Sequence, residues 1–329
     1  MRVVVTRTIP DDGLRLLREA GLTLHINGED RPMSRDELSE AVHTADGVIC
    51  LLSDRIDRDI LDVASKTVGF ANYAVGYENI DTVYATELGI MIANTPGVLT
   101  DATADLTWAL LLASARRIVA GDAMVRTGRF AGWGPMLMLG ADIAGRTLGI
   151  VGAGRIGTEV ARRARGFSMR ILYAERCDRP EMERLGARCV DLNTLLMESD
   201  FVTLHVPLTE QTHHLIDSEA LGLMKPSAIL INTSRGSVVD EEALIEALKS
   251  GVIAGAGLDV FEREPALAPG LDELSNVVLT PHIGSATTTT RATMATLAST
   301  NLLAMLSGHA PPNLVNAEVM GRHRRVREV

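Results

Sequence analysis

Thr147-Leu148-Gly149-Ile150-Val151-Gly152-Ala153-Gly154-Arg155-Ile156-Gly157 is the stretch on which the fold turns. Thr147–Val151 reads as a buried strand, and three glycines follow it at the spacing G-x-G-x-x-G. In that pattern Gly152 makes the turn, Gly154 lets the backbone approach a pyrophosphate, and Gly157 lets the next helix pack closely. A helix beginning there offers free amides to phosphate oxygens. Residues 158–167 continue as that helix and 169–173 as the next strand. An acid is expected at the end of this strand, about 20 residues on. Glu175 stands there and can accept hydrogen bonds from ribose hydroxyls. Arg176 follows directly and suits a 2′-phosphate instead. The glycines alone are a weak signal, and a glycine turn without a ligand is the plain alternative. Strand, loop, helix and acid agree on a dinucleotide site.

The same logic runs outward in both directions. Short apolar runs at 3–5, 47–52, 68–71 and 90–93 alternate with helical patterns at 11–20 and 34–43. Beyond the glycine loop, runs at 170–173, 201–205, 228–232, 257–260 and 277–279 repeat the alternation. Apolar strands separated by helices imply parallel sheets covered on both faces. The chain therefore reads as α/β with two doubly wound parallel-sheet domains, the first ending near Pro96-Gly97. The helix expected over 100–117 is apolar all round, which suggests burial between domains or at a subunit contact. Residues 119–140, with Gly128, Gly132, Trp133, Gly134 and Pro135, read as an extended connection, long enough to be functional or an oligomer arm.

Bulk properties narrow the classes. The 329 residues are 46% hydrophobic and 22% charged, as in a globular protein with two real cores. A net charge of −10 argues against nucleic acid or an anionic membrane as the main partner. The basic run Arg322-His323-Arg324-Arg325-Val326-Arg327 is a local exception, read as a frayed terminus. Cys50, Cys177 and Cys189 have no paired spacing and imply reduced thiols in the cytoplasm, Cys50 in the core. The apolar run after Met1 is too short for a signal peptide, and no run reaches membrane-spanning length. No metal-ligating pattern stands out.

Arg235, Glu264 and His282 carry the chemistry. Taken singly, each has an ordinary structural reading: a surface ion pair, a solvated acid, a core histidine. Their positions change that. Arg235 follows the strand at 228–232, Asp259 the strand at 254–258, and His282 the strand at 277–280. All lie at carboxyl ends of parallel strands, where open α/β sheets bind ligands. Arg235 presents a planar, permanently charged fork suited to the carboxylate and carbonyl of a 2-keto acid. His282 can give a proton to the oxygen as hydride reaches C2. A carboxylate beside it would favour imidazolium and fix the ring. Glu264 and Asp259 both qualify for that role.

These motifs, together with Asn72-Tyr73-Ala74-Val75-Gly76-Tyr77-Glu78-Asn79-Ile80-Asp81, the stretch Asn94-Thr95-Pro96-Gly97-Val98-Leu99-Thr100-Asp101-Ala102-Thr103-Ala104-Asp105, Asn232-Thr233-Ser234-Arg235-Gly236 and Pro281-His282-Ile283-Gly284, resemble those of the D-isomer-specific 2-hydroxyacid dehydrogenases. Within them the nearest resemblance is to glyoxylate/hydroxypyruvate reductases, from Met1 to about Asn316. The resemblance implies a Rossmann cofactor domain over 99–287 and a flavodoxin-like catalytic domain from 1–98 and 288–329. The last long helix, over 288–306, would cross back to the first domain, and domain closure would bring that domain's loops to His282. It implies Arg235 as the substrate-binding arginine, His282 as the acid/base and Glu264 as its partner. Leu51 and the backbone amides of Val75 and Gly76 would contact the substrate. Besides Gly152, Gly154 and Gly157, cofactor contacts would come from Thr103, Arg155, Ile156, Glu175, Arg176, Val206, Pro207, Thr212, Thr233, Asp259 and Gly284. Asp259 would meet the nicotinamide carboxamide or ribose.

The same resemblance implies a homodimer whose arm includes 119–140, and reduction of glyoxylate or hydroxypyruvate to glycolate or D-glycerate. Glu175 beside Arg176 implies use of both NAD(H) and NADP(H), with a lean to NADH. Similar proteins have other roles. Some reduce larger acids such as 2-ketogluconate, in which case Leu51, Trp133, Met136 and Met138 would line the pocket. Phosphite dehydrogenases share Gly132-Trp133 and Gly236-Ser237-Val238-Val239-Asp240 but carry Lys where Val75 stands, so apolar Val75 favours an organic acid. NAD-binding transcriptional corepressors share the triad, but this chain is acidic and lacks long interaction tails.

Overall fold

The central strands of both sheets are short and buried on both faces, and that places helices on either side of each sheet. A computed structural model describes residues 1–176 and 179–324, which fall into two units. One runs over Met1–Leu99 and resumes at Ser285; the other is Thr100–Gly284. Cys177 and the residues Arg325, Val326 and Arg327 of the basic run lie outside the described residues.

The first unit opens with β1 (Arg2–Val5), α1 (Asp11–Glu19), β2 (Thr23–Ile26), α2 (Arg35–His43), β3 (Gly47–Cys50), α3 (Arg58–Val63), β4 (Gly69–Asn72), α4 (Thr82–Glu87) and β5 (Met91–Ala93). All strands are parallel, in the order β2-β1-β3-β4-β5, the flavodoxin-like arrangement. The strand period of two divides the side chains between two cores. Val3, Val5, Ile49, Ala71 and Met91 face one; Val4, Val48, Cys50, Phe70 and Ile92 face the other. Ser34 starts α2 with a full capping box to Glu37.

The second unit contains α5 (Thr100–Ala115), α6 (Ile118–Arg126), β6 (Thr147–Val151), α7 (Arg155–Ala164), β7 (Arg170–Ala174), α8 (Pro180–Arg184), β8 (Arg188–Cys189), α9 (Leu192–Glu198), β9 (Phe201–Leu204), α10 (Ser218–Leu223), β10 (Ile229–Asn232), α11 (Glu241–Ser250), β11 (Gly255–Leu258) and β12 (Val277–Leu279). Its seven parallel strands run β12-β11-β10-β9-β6-β7-β8. The order reverses between β6 and β9, which makes the carboxyl ends of those strands the expected ligand crevice. The chain then returns through α12 (Thr288–Leu306), whose Ala295, Ala298, Leu302 and Met305 complete the first unit's core. Gly13 of α1 lets that helix lie against Ala295, since a Cβ there would sit 2.4 Å from the Ala295 carbonyl oxygen.

Four readings change. Residues 119–140 are not wholly extended, because α6 occupies Ile118–Arg126. The glycines and proline that suggested a loop all lie beyond Arg126, while Ala120, Ala123 and Met124 are good helix formers. Helix α5 needs no second domain or subunit to explain its apolarity: Trp108, Leu110 and Leu111 pack in the second unit's own core with Val160, Ala161 and Ile231. Edge strands β2 and β8 were not expected, since Thr23-Leu24-His25-Ile26 and Arg188-Cys189 carry no apolar run. Arg324 is not part of a frayed end. Its guanidinium donates to the carbonyls of Leu88 and Ala64, at the carboxyl ends of α4 and α3, where a cation is favoured. No described helix is long and apolar enough to cross a membrane.

Candidate active site

Two clusters form at the carboxyl edge of the seven-stranded sheet. The first surrounds the glycine loop. Gly152 has φ +95°, and a Cβ on it would lie 2.8 Å from the carbonyl carbon of His205. Only glycine meets both demands. Gly154 caps α7 without a side chain, leaving the first-turn amides of Arg155, Ile156 and Gly157 with no capping partner among the described residues. A Cβ on Gly154 would meet none of the described residues within 4 Å, so the backbone there is open to a bulky anion. Glu175, just past β7, accepts from the Ala153 amide at 3.1 Å and from the Arg176 amide at 2.9 Å. Arg179 approaches the same carboxylate at 3.6 Å, and Arg176 is exposed. Val206 and Pro207 follow β9, and Thr212 turns its hydroxyl back to the Pro207 carbonyl at 2.6 Å. These residues fit a dinucleotide: a bare helix start for phosphates, with an acid and a base at the ribose end.

His205 lies at the switch point and was not singled out from the sequence. Both its ring nitrogens are buried and without a hydrogen-bond partner among the described residues. Burial lowers its pKa from 6.5 to about 3, so the ring is neutral.

The second cluster joins β10, β11 and β12. His282 and Glu264 meet with Nδ1 2.8 Å from Oε2. His282 has φ +52°, held by its amide bonds to the Asp259 and Thr280 carbonyls. Burial pushes the Glu264 carboxyl up. The His282 bond and charge, the Phe261 amide and the Arg235 charge outweigh that and hold it below its ordinary 4.5. Asp259, the other carboxylate the sequence left open, is not the ring's partner. It is 1% exposed and accepts from the Thr280 hydroxyl at 2.6 Å and from the Ile283 and Gly284 amides at 2.8 Å. It thereby shapes the turn that carries His282. Burial is the largest influence on Asp259 and raises its pKa.

Arg235 follows the β10 end, where Asn232 organises the turn. The Asn232 side chain donates to the Arg235 carbonyl and accepts from the amide and hydroxyl of Ser234. Arg235 Nη1 donates to the Ser234 carbonyl at 2.7 Å. Gly236 then lets the Glu264-bearing segment approach: a Cβ there would be 1.9 Å from the carbonyl carbon of Phe261. Thr103 bonds the Gly284 carbonyl at 3.3 Å. Thr107 links Thr103 and Thr233, donating to the Thr103 carbonyl and pairing with the Thr233 hydroxyl at 2.9 Å. Asn232, Gly236 and Thr107 were missed from the sequence because their roles are contacts between separate elements. Leu51, Val75 and Gly76 belong to the other unit, just past the carboxyl ends of β3 and β4. Among the described residues no group of acids, histidines and cysteines could hold a metal ion.

Residues 108–284 match the model of the D-isomer specific 2-hydroxyacid dehydrogenase NAD binding domain. The chain is 52% identical to a glyoxylate reductase of Thermococcus onnurineus over 324 residues, covering 97% of each. It is 53% identical to a glyoxylate reductase of Korarchaeum cryptofilum over 323 residues, again covering 97% of each. Among solved structures it is similar to an NADPH-dependent glyoxylate/hydroxypyruvate reductase of Sinorhizobium meliloti in complex with NADP and malonate. That likeness has a TM-score of 0.85 at 33% identity, covering 100% of this chain and 99% of the other.

Proposed function

Because the chain belongs to the D-isomer specific 2-hydroxyacid dehydrogenase family, we propose that it is an NAD(P)H-dependent reductase of small 2-keto acids, converting glyoxylate to glycolate and hydroxypyruvate to D-glycerate. The observation that carries the reading is the 2.8 Å His282–Glu264 pair on the sheet edge that also bears Arg235, taken with relatives named glyoxylate reductase. When bound, the reduced nicotinamide supplies hydride to C2 of the keto acid. His282 gives its proton to the carbonyl oxygen through Nε2, since Nδ1 faces Glu264. Glu264 fixes the ring and stabilises the imidazolium. Arg235 binds the carboxylate and carbonyl, a task for a planar fork. Leu51 and the amides of Val75 and Gly76 also contact the substrate.

In this reading residues 99–287 are the dinucleotide-binding domain, and 1–98 with 288–329 the catalytic one. The phosphates rest on the amides of Gly154, Arg155, Ile156 and Gly157. Glu175 accepts from the ribose of NADH and Arg176 pairs with the 2′-phosphate of NADPH, so both serve, with NADH preferred. The enzyme works as a cytoplasmic homodimer. Ile118, Val119, Phe130, Trp133, Met136 and Leu139 are each at least half exposed in one stretch of chain, and an apolar surface of this kind is usually covered by a partner. A panel of keto acids assayed with NADH and NADPH tests the proposal. Glyoxylate or hydroxypyruvate should give the highest kcat/KM, with the two cofactors within tenfold. A clear preference for 2-ketogluconate, or no turnover at all, would overturn it.

A further inference from the structure

We propose that Asn94 and Asn72 are positioning residues that build a carboxylate cradle out of the peptide bonds between Ala74 and Tyr77. The inference rests on the reading above that the Val75 and Gly76 amides hold the substrate, and it says what orients them.

Four successive carbonyls in this loop each accept a hydrogen bond. Ala74 O accepts from the Thr95 amide at 2.8 Å, and Tyr77 O from the Ile80 amide at 3.0 Å. Between them, Val75 O accepts from Asn94 Nδ2 at 2.7 Å and Gly76 O from Asn72 Nδ2 at 2.8 Å. In a trans peptide the C=O and the following N–H point in opposite directions, and among the described residues the single cis bond is Glu264–Pro265. The amides of Val75, Gly76 and Tyr77 are therefore turned away from those donors. Among the described residues no acceptor faces these three amides. Backbone amides left unpaired in sequence call for water or a ligand, and successive free amides can form an anion-binding concavity.

The two asparagines are themselves locked. Asn72 Nδ2 also donates to Asn79 Oδ1 at 3.1 Å. Asn79 in turn donates to the carbonyls of Leu51 and Asp54, both at 3.0 Å, so Leu51 is tied into the same network. The Asn94 carbonyl accepts from Asn301 of α12 at 2.9 Å, and the Asn94 amide donates to Asn313 O. Both asparagines act through Nδ2, so an isosteric Asp cannot replace either: it has no proton to give, and its charge would repel a carbonyl and an anion alike.

The cradle contacts a carboxylate whose charge does not change during hydride transfer. Its loss should therefore weaken ground state and transition state equally and appear in KM. Asn94 is partly exposed and is the tractable position. Asn94→Asp should raise KM for glyoxylate, and the Kd of oxalate on the NADH-loaded enzyme, at least tenfold. NADH affinity should stay within twofold, and kcat within threefold. Asn94→Ala, in which water can take the donor's place, should fall between Asp and wild type. A folded Asn94→Asp with glyoxylate KM and oxalate Kd within twofold of wild type overturns the inference. So does a parallel loss of NADH affinity, which general loosening would give. Should Asn94→Asp fail to fold, Asn94→Ala decides, a rise in oxalate Kd below threefold counting against the cradle. Oxalate binding is read by protection against thermal unfolding and needs no turnover. A wild-type enzyme inert toward glyoxylate would thus refute the proposed function separately, while the variant-to-wild-type oxalate ratio still decides the cradle.

Discussion

Replacing Gly236 by alanine should cost far more activity than stability. The added Cβ would stand 1.9 Å from the Phe261 carbonyl carbon, 2.2 Å from its oxygen and 2.3 Å from the Glu262 nitrogen, whereas ordinary contact begins at 3.4 Å. All three atoms are backbone, so no side chain can swing aside, and relief needs about 1.5 Å of movement. The segment cannot simply retreat. Glu262 N donates to Glu241 Oε1 at 2.8 Å, Glu241 N donates to Glu262 Oε1 at 3.1 Å, and His214 Nε2 meets Glu262 Oε1 at 3.0 Å. Glu264, whose Oε1 accepts from the Phe261 amide, moves with it. On the other side the strain falls on Arg235. Overpacking of this kind costs about 1–3 kcal/mol, a loss of several degrees in Tm for a domain of this size. A displacement near 1 Å among reacting groups costs about 100-fold in rate. Gly236→Ala should therefore fold and bind NADH by fluorescence titration, yet lose about two orders of magnitude in kcat/KM for glyoxylate in an NADH-oxidation assay. A variant with kcat/KM within threefold of wild type would refute the claim that this contact sets the position of Glu264.

His282→Ala should lower kcat by about 10²–10⁴-fold, the usual worth of a general acid, with NADH affinity kept; retained turnover in steady-state assays would contradict its role. Glu264→Gln should lower kcat/KM by about 10²-fold or more, since the amide cannot stabilise imidazolium. Because Glu264 is held below 4.5 in the folded protein, the stabilisation it brings is present at neutral pH and is lost as pH falls below 4.5 through the lower folded value; denaturation by acid should be less steep in the Gln variant, and identical acid-unfolding curves would count against the pair. His205, neutral in the fold with a pKa of about 3 against 6.5 unfolded, takes up a proton on unfolding between those values. The cofactor-free enzyme should thus lose about 2 kcal/mol of stability between pH 7 and pH 5 from this group. His205→Leu should flatten that slope in urea titrations, and an unchanged slope would refute the assignment.

Much of the fold was legible because its signals are local. Strand runs such as Thr147–Val151 and Ala228 to Asn232 are mostly apolar and buried over their whole length, as expected of strands covered on both faces. The cap at Ser34 marks a helix start within a few residues. Where the signal weakened, the reading missed: β2 and β8 lie at sheet edges and carry exposed polar residues. Helix α6 was obscured by the glycines that follow it.

The site divides the same way. Arg235, His282 and Gly152 could be placed at strand ends from the sequence alone, because a parallel α/β alternation puts every such end on one edge. The sequence also supplied the residue types, a fixed cation, an acid and an imidazole. It could not choose Glu264 over Asp259, since each is an acid after a strand. That choice is made in space: Asp259 spends its oxygens on Thr280, Ile283 and Gly284, while Glu264 reaches the ring. Thr107, Gly236, Asn72 and Asn94 likewise look like ordinary core and turn residues until distant segments are brought together. Local order follows from neighbours a few residues apart. Which carboxylate meets a histidine, and which way a peptide faces, depends on contacts between segments far apart along the chain, and those exist only once the sheets and helices have packed.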